Sequence, residues 1–102
     1  MTMMRRTSIH LALSFLLLAS PAFAGKAEEV ARLFAEAANQ ESRGEWSLAS
    51  SNYSKIIHTD PENALAHYHL AMCQVRIGMN DYAIKNFNEA IRLDPNMQQA
   101  RD

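Results

Sequence analysis

Four histidines and one cysteine are the side chains of this 102-residue chain best suited to metal or nucleophilic chemistry, and their spacing argues against both. His67 and His69 are two residues apart, which on a helix turns them about 200° away from each other, and His58 belongs to a different helical segment. The i, i+4 spacing of a tetrahedral metal site is missing, and no second cysteine could complete one. The three glycines, Gly25, Gly44 and Gly78, cannot form a phosphate-cradling loop or a dinucleotide fingerprint. Neither Gly-x-Ser-x-Gly nor His-Glu-x-x-His occurs. Glu28 and Glu29 are adjacent, so on a helix their carboxylates diverge. Asn52-Tyr53-Ser54 matches a glycosylation sequon but falls inside a helical pattern, and we read it as chance. No catalytic residue, metal site or cofactor is expected. Cys73 lies on an apolar helix and reads as a buried, inert thiol; if exposed, it would instead link two chains covalently.

The elements that carry these residues are set by a repeat. Gly44, Ala49, Tyr53, Ile57, Asp60 and Pro61 recur thirty-four residues later as Gly78, Ala83, Phe87, Ile91, Asp94 and Pro95. From about Ala27 to Ser42 good helix formers dominate, with Glu28 and Glu29 at the positive end of the helix dipole, and Arg43-Gly44 ends the segment. Trp46 to His58 follows, with Ala49, Tyr53, Ile56 and Ile57 on one apolar stripe. Pro61 blocks α geometry at Asp60. A third helix, about Glu62 to Ile77, carries Leu70, Ala71 and Cys73 on one side and Leu65, Tyr68, Met72 and Val75 on another, so it should be the least wetted. The fourth, about Asn80 to Leu93, has Ala83, Phe87, Ala90 and Ile91 on its stripe and Lys85, Asn86 and Arg92 off it. Pro95 ends that helix, and Asn96 is placed to cap another. The small residues Ala49, Ala83 and Ala90 let paired helices approach closely.

This pattern resembles the tetratricopeptide repeat over roughly residues 28 to 102. Gly44-Glu45-Trp46 echoes the family's inter-helix turn, and Leu70-Ala71, Gly78, Ala83, Phe87, Ala90 and Pro95 occupy most of its signature places. The first repeat departs further: Glu36-Ala37 stands where Leu-Gly is usual and Ile56 where Ala is usual. Leu33 and His67 replace the usual tryptophan. The resemblance implies an all-α fold of antiparallel helix-turn-helix repeats, a TPR-like α-solenoid. Repeat one would run from about 28 to 61 and repeat two from about 62 to 95, with 96–102 starting a C-terminal helix. About three repeats normally make a stable stack, so a partner surface, a second copy included, is expected to complete this one.

Residues 1–24 read as a cleavable signal peptide. Arg5 and Arg6 give a basic start, Ile9 to Ala19 is mainly apolar, and Pro21 precedes the small-x-small site Ala22-Phe23-Ala24. Eleven residues are too short to span a hydrocarbon core of about 30 Å. The flanking residues fit twin-arginine export poorly, and Gly25 rather than Cys after the cut rules out a lipoprotein anchor. Cleavage would leave a domain of residues 25–102 with 8 basic and 11 acidic residues. That balance disfavours nucleic acid, and no membrane span would remain. The expected location is periplasmic or secreted, where a single cysteine excludes an internal disulfide.

In the family, the first helix of each repeat lines a concave groove. The resemblance therefore assigns Phe34, Ala35, Ala38 and Glu41, with Leu65, Tyr68, His69, Met72 and Arg76, to a mostly apolar groove. Phe34, Ala38 and His69 stand where carboxylate-clamp members need polar residues, which disfavours chaperone C-terminal tails. An extended peptide or an amphipathic helix with apolar anchors fits better. The expected function is non-enzymatic: a protein-interaction module or assembly scaffold, or alternatively a self-associating unit whose homodimer buries the same surfaces. A small-ligand carrier using His69 is a distant third.

Overall fold

The computed structural model describes residues 21–97. Four helices run in order, α1 (Pro21–Ser42), α2 (Trp46–Thr59), α3 (Ala64–Arg76) and α4 (Asn80–Leu93), and no strand occurs among the described residues. Each helix packs on the next. The expected signal segment up to Ser20, and residues 98–102 of the expected further helix, lie outside the described residues. Helix α1 starts earlier than the expected Ala27 and runs unbroken through the Ala24–Gly25 junction. Alanine has the strongest helix propensity, and Ala22, Ala24 and Ala27 carry the helix across Gly25.

Two hydrogen bonds at each turn between paired helices reproduce the thirty-four-residue offset. Gly44 and Gly78 adopt φ of 74° and 83°, a left-handed geometry that glycine enters without steric cost. The Glu45 N–H donates to the Gln40 carbonyl over 2.9 Å and the Gly44 N–H to that of Glu41 over 3.0 Å. Met79 to Gln74 and Gly78 to Val75 repeat the pair at 2.8 and 3.2 Å. Both are Schellman closures, which satisfy the last carbonyls of α1 and α3. Between the repeats, Asn63 caps α3 by accepting the Ala66 N–H on its side chain. That cap moves the start of α3 from Glu62 to Ala64. Asp94 accepts the Asn96 N–H in the corresponding turn; the expected capping of a further helix by Asn96 lies outside the described residues.

Close approach of the helices rests on alanine. Ala37, Ala49, Ala66, Ala71, Ala83 and Ala90 are all fully buried or nearly so, and Tyr53, Ile56, Leu33 and Leu70 fill the space between them. A second, polar contact recurs inside each helix pair. The Asn52 side-chain amide donates to Gln40 Oε1 over 2.8 Å, and thirty-four residues on Asn86 donates to Gln74 Oε1 over 2.9 Å. Asn86 therefore faces α3 rather than lying off the stripe. It also meets the His67 ring, whose other nitrogen lies 2.9 Å from the Pro61 carbonyl, so His67 ties the inter-repeat loop to α4. Asn52 is buried in its amide pair, which leaves the sequon match no room for a glycan.

Helix α3 departs from expectation in which sides it buries. Its buried side is Ala66, His67, Leu70, Ala71, Cys73 and Gln74, whereas Leu65, Met72 and Val75, expected to be covered, are 46%, 41% and 49% exposed. Among the described residues α2 and α4 make most of the contacts to α3, with α1 reaching it through Glu41, and together they do not cover its whole circumference.

The two repeats meet at Glu41, near the end of α1. Its Oε1 accepts from His69 Nδ1 at 3.1 Å and from the Cys73 thiol at 3.7 Å, both on α3. Burial first, then the charge and hydrogen bonding of Glu41, push the Cys73 thiol up to about 12. Burial and the same carboxylate drive the Tyr53 hydroxyl far above the usual phenol range. Cys73 is therefore the buried, inert thiol expected, and no covalent dimer can form through it in the folded chain.

Two outcomes are expected of this packing. Ala83→Leu overfills the α3–α4 contact and should cost about 1–3 kcal/mol, read as a lower denaturation midpoint; an unchanged midpoint would show that α4 is not held by close approach at this position. Cys73 at about 12, against 9.0 for an unperturbed thiol, holds roughly a thousandfold less thiolate near neutral pH. Alkylation should accordingly track unfolding. Because the folded thiol titrates higher than the unfolded one, its contribution to stability is complete below about pH 9 and is lost as pH rises toward 12.

Candidate functional site

A face left open by α1 and α3 carries the residues assigned to the groove. On α3, Leu65, Tyr68, His69, Met72 and Arg76 stand at i, i+3, i+4, i+7 and i+11, which is one helical face. Leu65 and Met72 project into solvent, and Tyr68 and His69 are half-buried between them. Across from them α1 contributes half-buried Phe34 and exposed Ala35 and Ala38.

The floor of this face is a chain of rings that crosses all four helices. Phe34 meets the Tyr53 ring edge-on at 5.8 Å, and Tyr53 stacks on His69 at 5.2 Å with planes 16° apart. His69 meets Tyr68 edge-on at 5.6 Å, and Tyr68 meets Phe87 edge-on at 5.8 Å. Edge-on and stacked pairs at these separations are the favourable arrangements for rings with a negative face and positive rim. Phe34 and Tyr68 are thus both packed and exposed: each has one flank in the ring chain and the other toward solvent.

Arg76 is differently placed. Its guanidinium sits 5.1 Å over the Trp46 ring at the start of α2, so it closes one end of the face by a cation–π contact. Glu41 stands at the same end and is engaged with His69 and Cys73. The groove's polarity is therefore concentrated at one end, and Leu65, Phe34 and Ala38 leave the rest apolar.

His67 and His69 turn out to serve different contacts, as their two-residue spacing requires: His67 faces the inter-repeat loop and α4, His69 faces Glu41 and Tyr53. No group of three histidine, cysteine or acidic side chains capable of holding a metal occurs among the described residues. None of the described helices is long and apolar enough to cross a membrane. Two concavities lie away from this face. One of about 360 Å³ is lined by Lys26, Ala27, Val30 and Asp60, and one of about 420 Å³ by residues of α1 and α2 that include Glu29, Lys55 and His58. Exposed Leu65, Met72, Ala35 and Ala38 make the ring-lined face an open surface, which suits a macromolecular partner better than a small ligand.

Sequence reasoning missed the Gln40–Asn52 and Gln74–Asn86 pairs and the role of Glu41. The pairs had a usable signal, since all four residues obey the thirty-four-residue offset.

Comparison with known proteins agrees with this geometry. Residues 64–97, which span α3, its turn and α4, match the tetratricopeptide repeat family. A protein O-mannosyl-transferase of Caenorhabditis elegans, F38B6.6, is 40% identical over 56 residues, covering 55% of this chain. The chain spans 8% of that relative's length. No solved structure matches. Residues 64–97 match the tetratricopeptide repeat, a repeat that generally mediates contacts between proteins, and the described part of the chain is helical throughout, as such repeats are.

Proposed function

We propose that this chain is a non-enzymatic protein-interaction module that holds an apolar partner segment on the face formed by α1 and α3. The observation that carries this reading is the exposure of Leu65 and Met72, seven residues apart on one face, on either side of half-buried Tyr68 and His69. Two apolar anchors flanking a packed aromatic floor are what a partner's apolar stripe requires. The transferase activity named for the worm relative is not carried over, because only 8% of that protein is matched. The leader-like residues 1–24 support export, and we assign the module to the periplasm or the secreted fraction.

A second reading has its own observation. Ile84 on α4 is 58% exposed, and a homodimer could cover it. The two readings separate in one set of measurements. Molar mass by light scattering and enrichment of displayed peptides are recorded for the full chain, for Leu65→Glu with Met72→Glu, and for Ile84→Glu. The interaction module predicts a monomer whose peptide capture is lost on charging Leu65 and Met72 and kept on charging Ile84. A dimer that Ile84→Glu dissociates, without specific peptide capture, would replace it with the self-associating unit. Mass spectrometry of the protein recovered from its compartment should give a mature chain starting at Gly25; an intact Met1 would sink the export assignment.

A further inference from the structure

The groove floor carries a polar atom, on the His69 ring, that no hydrogen bond of the described chain uses. His69 donates from Nδ1 to Glu41 Oε1 over 3.1 Å, and the same oxygen accepts from Cys73. A carboxylate oxygen only accepts, so the neutral imidazole keeps its proton on Nδ1 and presents a lone pair at Nε2. No buried side-chain nitrogen or oxygen among the described residues lacks a hydrogen-bond partner, and the hydrogen bond of His69 runs through Nδ1. Nε2 therefore opens to solvent. The ring cannot easily turn away, because it is stacked on Tyr53 on one side and met by the Tyr68 edge on another.

The form of a partner is set by the same polar inventory. Extended peptide laid along this face would press most of a row of backbone N–H and C=O groups against Phe34, Ala38, Leu65 and Met72, which cannot pair with them, and Tyr68, His69 and Arg76 offer too few polar groups for the whole row. Each backbone group dried without a partner is unfavourable. A helix arrives with those groups already bonded to one another, and needs only apolar side chains against Leu65 and Met72, which lie about 10 Å apart along α3 at about 1.5 Å per residue. His69 falls between them.

We infer that the groove selects an amphipathic partner helix whose apolar stripe carries one hydrogen-bond donor, such as a serine, threonine, asparagine or lysine side chain, set against Nε2 of His69. This rests on the groove reading above and names its partner class and its specificity residue.

The test pans two displayed pools on the full chain, one of helix-forming peptides randomised on a single face and one of proline-punctuated peptides that cannot be helical. The helical pool should enrich sequences with apolar residues a heptad apart and a donor between them. Changing that donor to alanine should weaken binding roughly five- to tenfold on the native chain and leave it unchanged on His69→Phe. Enrichment of the proline-punctuated pool, or donors that matter equally with and without His69, would overturn the inference. Nitrogen-detected NMR of the unsubstituted chain should find the proton on Nδ1 alone; a proton on Nε2 would overturn the donor preference without any substitution. Peptides that are lost on Leu65→Glu yet indifferent to His69 sink this inference alone, whereas peptides indifferent to Leu65→Glu sink the groove reading with it.

Discussion

The whole structure depends on how closely its helices can approach. Six alanines sit at the contacts with essentially no exposure, and Leu33, Tyr53, Ile56 and Leu70 are buried among the larger core side chains. Protein interiors tolerate neither gaps nor overlap of a methyl group without cost, so the sizes at these positions fix the separation of the helices. That separation brings Gln40 within hydrogen-bond reach of Asn52, and Gln74 within reach of Asn86. A neutral amide pair is worth only about 1 kcal/mol net, but it is directional. It sets the sliding position of each helix pair, which alanine contacts alone leave loose.

Between the repeats a different device operates. Glu41 is a single acceptor reaching from α1 to two donors on α3, with the Tyr53 hydroxyl beside it on α2. Three helices thus converge on one carboxylate. The arrangement has a functional corollary, because the contact that joins the repeats also orients His69 on the groove floor. The open face and the inter-repeat joint share one side chain, His69.

Much of the fold is legible because the repeat is written in residues with strong local meaning. Glycines at 44 and 78 mark left-handed turns, prolines at 61 and 95 mark helix boundaries, and small-aromatic spacing marks the paired helices. The structure puts each of these where the offset implies. The features that escape the sequence depend on three-dimensional company. Asn86 reads as solvated because polar residues within helices usually are, yet its amide is enclosed between Gln74 and His67. Val75 reads as covered because it is apolar, yet α3 has too few neighbours to cover it. The start of α3 shifts by two residues because the Asn63 cap, rather than the proline, decides where helical geometry begins. Of the groove, Leu65, Tyr68, His69 and Met72 share a face as their spacing requires, but that Arg76 is spent on Trp46 is a matter of packing that no spacing encodes.

The two kinds of polar contact differ in how far they can be reused. The amide pair is the same in both repeats, so each helical hairpin closes by a common rule. The carboxylate joint is not. A shift of thirty-four residues turns Glu41 into Val75, and a shift back turns His69 and Cys73 into Ala35 and Asn39. A tandem copy of the first repeat would set its carboxylate against an alanine and an amide, and a tandem copy of the second would set a valine against a histidine and a thiol. The units are alike in their interiors and unlike at their edges. Their order along the chain is therefore written into the joint, as a lock that accepts one neighbour and not a duplicate.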